Sequence, residues 1–138
     1  MNKCISDNMR NLFFFVILLL CGCTSAPVSN INNETIPTAW NGSAPALGDV
    51  ERAILSASQT RGWSSRIVRP GLIEASISVR SHRAEVNIPY TERNYSIYYK
   101  SSDNLDYRNG RIHRNYNKWV MKLSQAIQRE LGVNVQKY

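Results

Sequence analysis

The stretch 73–100, IEASISVRSHRAEVNIPYTERNYSIYYK, swings between apolar and polar residues three times over. Ile73, Ala75, Ile77 and Val79 alternate with Glu74, Ser76, Ser78 and Arg80. Ala84, Val86 and Ile88 alternate with Glu85 and Asn87, and Tyr95, Ile97 and Tyr99 with Ser96, Tyr98 and Lys100. Side chains along a strand point to opposite faces in turn, so this period of two predicts half-buried antiparallel strands. Pairing Arg80 with Arg83 across Ser81-His82 sets Val79 against Ala84, Ile77 against Val86 and Ala75 against Ile88. Pairing Tyr90 with Tyr95 sets Ile88 against Ile97 and Val86 against Tyr99, with Glu85 opposite Lys100 as a favourable charge pair. A slip of one residue would turn every apolar side chain to the wrong face.

Working outward, a further strand spans about Trp63 to Arg69 and meets this block at Pro70-Gly71, a turn dipeptide. A two-residue loop there turns Val68 and Arg66 inward. A three-residue loop with a bulge turns Ile67 and Trp63 inward, which uses the apolar surface better and is the expected form. Before it, Val50, Ala53, Ile54 and Ala57 recur at helical spacing, with Asp49 as N-cap and Gly62 as stop. After it, a polar loop over 101–114 with an Asn109-Gly110 turn leads to a second helix from about Asn115 to Leu131. Its buried stripe is Tyr116, Val120, Leu123, Ile127 and Leu131, widened by Trp119, and Gly132 ends it. A sheet with one apolar face needs a cover. The expected fold is therefore an α+β two-layer sandwich, helix – four-stranded antiparallel meander – helix, with both helices on one face.

The N-terminus carries a different signal. Leu12–Leu20 is an uninterrupted apolar run preceded by Arg10 and followed by Cys21-Gly22-Cys23. Nine residues are far short of the roughly 20 that cross a bilayer as a helix, so the run is read as the core of an export signal. Leu20-Cys21-Gly22-Cys23 has the form of a bacterial lipobox: an apolar residue, two small ones, then the cysteine whose thiolate takes up the diacylglyceryl group. Met9-Arg10-Asn11 would also serve as a compact start. Residues 1–22 are thus expected to be removed and Cys23 lipidated. The implied anchor is several acyl chains, each buried methylene contributing about 0.8 kcal/mol.

All three cysteines, Cys4, Cys21 and Cys23, belong to this leader and its junction, so the 115 residues after Cys23 hold no thiol and no disulfide. That length suits one domain. The chain has net charge +7; the leader's Lys3, Arg10 and Asp7 account for +1, which leaves +6 after cleavage. Such a charge favours anionic neighbours in the envelope, such as acidic lipids, phosphates or peptidoglycan carboxylates. Residues 24 to about 46 are rich in Ser, Thr, Asn, Ala and Pro and lack apolar periodicity, the composition of a disordered tether with a reach of roughly 25–30 Å. Trp40 is its one aromatic residue. The domain plan is a signal peptide over 1–22, lipidated cysteine and tether over 23–47, the α+β domain over 48–133 and a tail over 134–138.

Motifs for catalysis are lacking: no GxSxG, Walker loop, HExxH or cysteine–histidine pairing occurs. His82, at the hairpin tip, and His113, before the last helix, have no patterned partner and are expected in solvent. Asp103 and Asp106 are too sparse for calcium. The expectation is a non-enzyme with no cofactor and no metal. Two surfaces stand out as binding candidates. One is the polar sheet face with Tyr98, Arg80 and Lys100, beside Glu74, Ser76, Ser78, Glu85, Asn87 and Ser96. The other is the loop cluster Arg108, Arg111 and Arg114 with His113, Tyr107 and Tyr116. Basic residues among aromatics can bind nucleic acid, but an envelope location disfavours it.

VERAILSASQTRGW at Val50–Trp63, the stretch Pro70–Val79 and IHRNYNKWVMKLSQAIQREL at Ile112–Leu131 carry a resemblance. The most specific element is Tyr116-Asn117-x-Trp119-Val120. The chain resembles, over roughly residues 10–132, a group of small Gram-negative bacterial lipoproteins with a lipobox, a short tether and one compact α+β domain. The resemblance implies localisation and fold, and brings no catalytic residues. With Thr24, not Asp, after the cysteine, it implies the outer membrane, facing the periplasm. The expected role is an interaction module binding an envelope protein or peptidoglycan. The alternative is a lipid or lipopolysaccharide handler with a pocket between helices and sheet.

Overall fold

The computed structural model describes residues 24–39 and 41–135, with side chains described as far as Gly132. Residues 1–23, where the signal peptide and lipidated Cys23 are expected, lie outside the described residues, as do Trp40 and residues 136–138. In chain order the elements are β1 (Ser25–Pro27), β2 (Ile31–Thr35), α1 (Leu47–Thr60), β3 (Ser64–Arg69), β4 (Leu72–Val79), β5 (His82–Pro89), β6 (Asn94–Asp103), β7 (Arg111–His113) and α2 (Arg114–Val135). The main sheet has five antiparallel strands in the order β2-β6-β5-β4-β3, and β1 with β7 forms a separate two-stranded ladder. No helix among the described residues is long and apolar enough to cross a membrane.

The alternating block folds as the meander β3-β4-β5-β6, but the expected count of four strands is corrected to five. The fifth comes from the segment read as disordered. Its composition is polar, yet Ile36 is 1% exposed and Val28 and Ile31 pack on the core. Burying one such side chain contributes roughly 1.5–3 kcal/mol. These anchors and the hydrogen bonds of the strand ladders oppose the entropy cost of ordering the segment. The polar residues between the anchors also find partners: Asn30 Oδ1 accepts Tyr99 N–H at 3.0 Å, and Gln128 Nε2 donates to the Thr35 carbonyl at 3.0 Å.

Register follows the expected faces with one slide. In β4–β5, Val79 pairs with His82, Ile77 with Ala84, Ala75 with Val86 and Ile73 with Ile88, two residues away from the expected pairing. The turn is Arg80-Ser81, with Arg80 at φ 55°, in place of Ser81-His82. A slide of two leaves each side chain on its own face, so the apolar matching that supported one register supports the other equally. In β5–β6, Tyr90–Tyr95 and Val86–Tyr99 pair as expected, then a bulge intervenes and Glu85 lies opposite Ser101. β3 has the expected bulge, between Ile67 and Arg69, but the expected three-residue loop is corrected to the two-residue turn Pro70-Gly71, with Arg69 paired to Leu72. Trp63, just before β3, is buried, while Ile67 opposite Ile73 remains 45% exposed at the sheet's edge.

Both helices cover the apolar face. Val50, Ala53, Ile54 and Ala57 of α1 and the full stripe Tyr116, Val120, Leu123, Ile127 and Leu131 of α2 are buried against Ile73, Val86, Ile88 and Ile97. Leu105, in the polar loop, is also buried. Two helix boundaries are corrected. α1 begins at Leu47 after Ala46, and Asp49 sits inside the first turn, paired with Arg52, with no side-chain cap at the N-terminus. α2 runs through Gly132 to Val135. Gly62 does stop α1: at φ 77° it lets Arg61, Gly62 and Trp63 N–H groups reach the carbonyls of Ala57, Gln59 and Ser58.

Candidate functional site

The sheet face away from the helices carries the residues of even number on β4 and their neighbours. Glu74 is at its centre. Its carboxylate accepts from both Arg66 on β3 and Lys100 on β6. Glu85 on β5 accepts from Arg83 Nη2 at 2.7 Å and from Ser101 Oγ at 3.1 Å, with Lys100 Nζ at 3.7 Å. The β6 bulge explains Lys100's position. Val86 pairs with Tyr99 and Glu85 with Ser101, so Lys100 is the extra residue, and it lies between two carboxylates instead of opposite one. The expected Glu85–Lys100 attraction is present, shared with Glu74.

These charges rim a cavity of about 340 Å³ that also takes in Ser64, Ser65 and Ser76. Glu74 is largely covered (14% exposed), whereas Arg66 and Arg83 are well exposed. Each guanidinium has five N–H donors and gives one to a glutamate, which leaves the others directed at solvent. A guanidinium grips planar oxyanions through two parallel bonds, so the cavity is chemically suited to carboxylates and to clustered hydroxyls. No histidine or cysteine lines it. Of the residues expected on this face, Tyr98 is part-exposed opposite Asn87. Ser96 is not available: it is buried, and its hydroxyl accepts the Asn33 N–H of β2 at 2.9 Å.

The remaining sequence candidates gather elsewhere, at one end of the sheet. Arg80 occupies the β4–β5 turn. Next to it, Ser81 Oγ accepts from Asn104 Nδ2 at 2.9 Å, and His82 Nδ1 lies 2.5 Å from the Asn104 carbonyl. The ring of His82 stacks on His113 with centroids 6.1 Å apart. The two histidines, expected apart in solvent, are half-buried neighbours that lock the hairpin to the loop before α2. Arg108 and Arg111 exchange backbone hydrogen bonds at 2.9 Å. Tyr107 stacks on Tyr99 (4.4 Å), which meets the buried Tyr116 edge-on (5.6 Å).

Several of these side chains hold the N-terminal segment in place. Arg111 donates to Ser25 through Nε to Oγ (3.2 Å) and Nη2 to the carbonyl (3.0 Å). Arg114 N–H donates to the Thr24 carbonyl at 2.8 Å. Asn117, inside the Tyr116-Asn117-x-Trp119-Val120 element, accepts the Ser29 N–H at 2.9 Å and donates to the Pro27 carbonyl at 2.8 Å. Sequence reasoning missed Asn117 because its partners sit about 90 residues away in a segment with no periodicity. Among the described residues no three His, Cys, Asp or Glu side chains come together as a metal site would require.

No family model, no curated protein and no solved structure matches this chain.

Proposed function

We propose that the chain is a lipid-anchored periplasmic lipoprotein of the outer membrane, attached through Cys23, and that its domain is a non-enzymatic module binding an envelope protein or peptidoglycan. The observation that carries the binding reading is the polar cavity on the uncovered sheet face. There Glu74 and Glu85 hold Arg66, Lys100 and Arg83 in fixed positions, with spare guanidinium donors aimed outward. Peptidoglycan stem peptides and acidic protein segments both offer carboxylates that these donors fit. The lipid-handler alternative calls for an apolar pocket between helices and sheet. That layer is occupied by Ile54, Ile73, Val86, Ile88, Ile97 and Leu123, each essentially unexposed, and the reading finds no support there.

Anchoring and binding are tested separately. Metabolic labelling with a fatty-acid analogue, with mass spectrometry of the mature N-terminus, is expected to find diacylated Cys23; Cys23→Ser abolishes the label. For binding, a photoreactive residue at Tyr98 is irradiated in intact cells. One discrete protein adduct or muropeptide adduct that disappears in Arg66→Glu/Arg83→Glu supports the module. Lipid adducts at that position would replace it with the handler.

A further inference from the structure

A lipoprotein is expected to hang from its membrane on a flexible leader, free to swing. In this chain the order begins at once. Thr24 is hydrogen-bonded to the start of α2, Ser25 is clasped by Arg111, and β1 pairs residue for residue with β7. Residue 23 is a single peptide unit from Thr24, and adjacent Cα atoms are about 3.8 Å apart. Whatever holds Cys23 therefore holds this end of the domain.

The same end is where basic residues converge. Arg80 in the β4–β5 turn, Arg108 in the loop and Arg111 and Arg114 around β7 are all exposed. They are linked to one another and to Thr24 by the Ser81–Asn104, His82–His113, Arg108–Arg111 and Arg114–Thr24 contacts. Asp103 and Asp106 are the acidic residues of the same segment, so arginine outnumbers aspartate two to one. Tyr107, 47% exposed, adds an amphipathic aromatic of the kind favoured at headgroup level. The opposite end, at the Pro70-Gly71 and Thr91–Arg93 turns, is distant from Thr24 along every strand.

We propose that this pole, carrying Thr24 with Arg80, Arg108, Arg111 and Arg114, rests directly on anionic phospholipid headgroups. The domain then stands with its strands pointing away from the bilayer and its polar cavity facing sideways. The inference rests on the lipoprotein reading of Cys23. Basic residues near an anionic leaflet are attracted over about a Debye length, roughly 8–10 Å, so only a domain held this close gains from them. The surface fits lipid phosphates, and the arginines supply the donors.

Once Cys23 is capped, the mature chain has no other thiol, so a cysteine introduced anywhere is a unique labelling site. The acylated protein is placed in phosphatidylethanolamine:phosphatidylglycerol vesicles with an environment-sensitive fluorophore at Ser81→Cys or, at the far end, Glu92→Cys. The expected result is quenching by headgroup-borne quencher at position 81 at least several-fold stronger than at 92. That difference is lost in Arg80→Glu/Arg108→Glu and in phosphatidylcholine vesicles. Equal quenching at both positions, or a difference indifferent to charge, with Cys23 shown to be acylated by mass spectrometry, overturns the docking and leaves the lipoprotein reading standing. An unacylated Cys23 overturns both.

Discussion

The hydroxyl of Tyr95 lies 2.7 Å from Ser124 Oγ and donates to the Ser124 carbonyl at 3.2 Å, joining the start of β6 to the middle of α2 inside the core. Gln128 Nε2 reaches the same hydroxyl at 3.4 Å while bonding the Thr35 carbonyl of the edge strand. Sheet, helix and N-terminal segment are thus joined through one phenol. Removing only the oxygen, Tyr95→Phe, leaves a buried serine short of a partner. The expected cost is about 1–2 kcal/mol, a fall in Tm of roughly 3–8 °C by calorimetry. Wild-type stability in that variant would show that the connection contributes nothing.

Tyr116 gives the opposite sign. Its ring is fully buried and meets Tyr99 edge-on, but its hydroxyl has no hydrogen-bond partner among the described residues. A polar group desolvated without compensation costs about 1–3 kcal/mol. Tyr116→Phe keeps the ring contact and removes the cost, so it is expected to raise the urea midpoint. A lowered midpoint would mean that the hydroxyl is satisfied, by a bound water for instance.

Much of this fold was legible in residues 73–100 because period-two alternation constrains every side chain to a face. The helix faces were legible from the three- and four-residue spacing of their apolar residues. What alternation does not constrain is translation by two, and β4–β5 slid by that amount without any apolar residue changing sides. The N-terminal strands were illegible because their anchors are three isolated apolar residues, Val28, Ile31 and Ile36, in a polar context. Their partners on β6, β7 and α2 are some 60–90 residues away. On the candidate site, Lys100 beside Glu85 was readable from cross-strand register. The double role of Glu74 was not, since it depends on a bulge that places Lys100 between two strands.

Two glycines separate backbone strain from helix propensity. Gly71 closes the β3–β4 turn at φ 86°, and a Cβ there would stand 3.3 Å from the Tyr90 carbonyl oxygen. Gly71→Ala combines a left-handed backbone with a tight contact and is expected to cost about 1–3 kcal/mol. Gly132 lies within α2, with open space where an alanine methyl would sit. Gly132→Ala is expected to add up to about 1 kcal/mol, since alanine loses less backbone entropy in a helix. Chemical denaturation of the pair would show shifts of opposite direction. A destabilised Gly132→Ala would argue that the last turn of α2 is not helical in solution.

Alkaline pH tests the buried phenols together. Burial, aided by the hydrogen bond Tyr90 donates to Glu51 and by that carboxylate's charge, pushes Tyr90 up from 10.0 to about 12. Burial likewise raises Tyr95, against the lowering effect of Ser124 and Gln128, and raises Tyr116. In each case the folded protein holds its proton more tightly than the unfolded chain. The contribution to stability is therefore complete below about pH 10, where the unfolded phenols are still protonated. It is lost as pH rises through the folded values, which for Tyr90 means the window from 10 to about 12. Urea midpoints followed upward from neutral pH should hold level as far as these groups are concerned and then fall, with tyrosinate absorbance appearing as the chain unfolds. In Tyr90→Phe the descent above pH 10 should be shallower by about one proton's linkage, although the variant begins less stable because Glu51 loses its donor. An undiminished slope in that variant would show that Tyr90 ionises as readily in the fold as in the unfolded chain, and that its bond to Glu51 does not protect it.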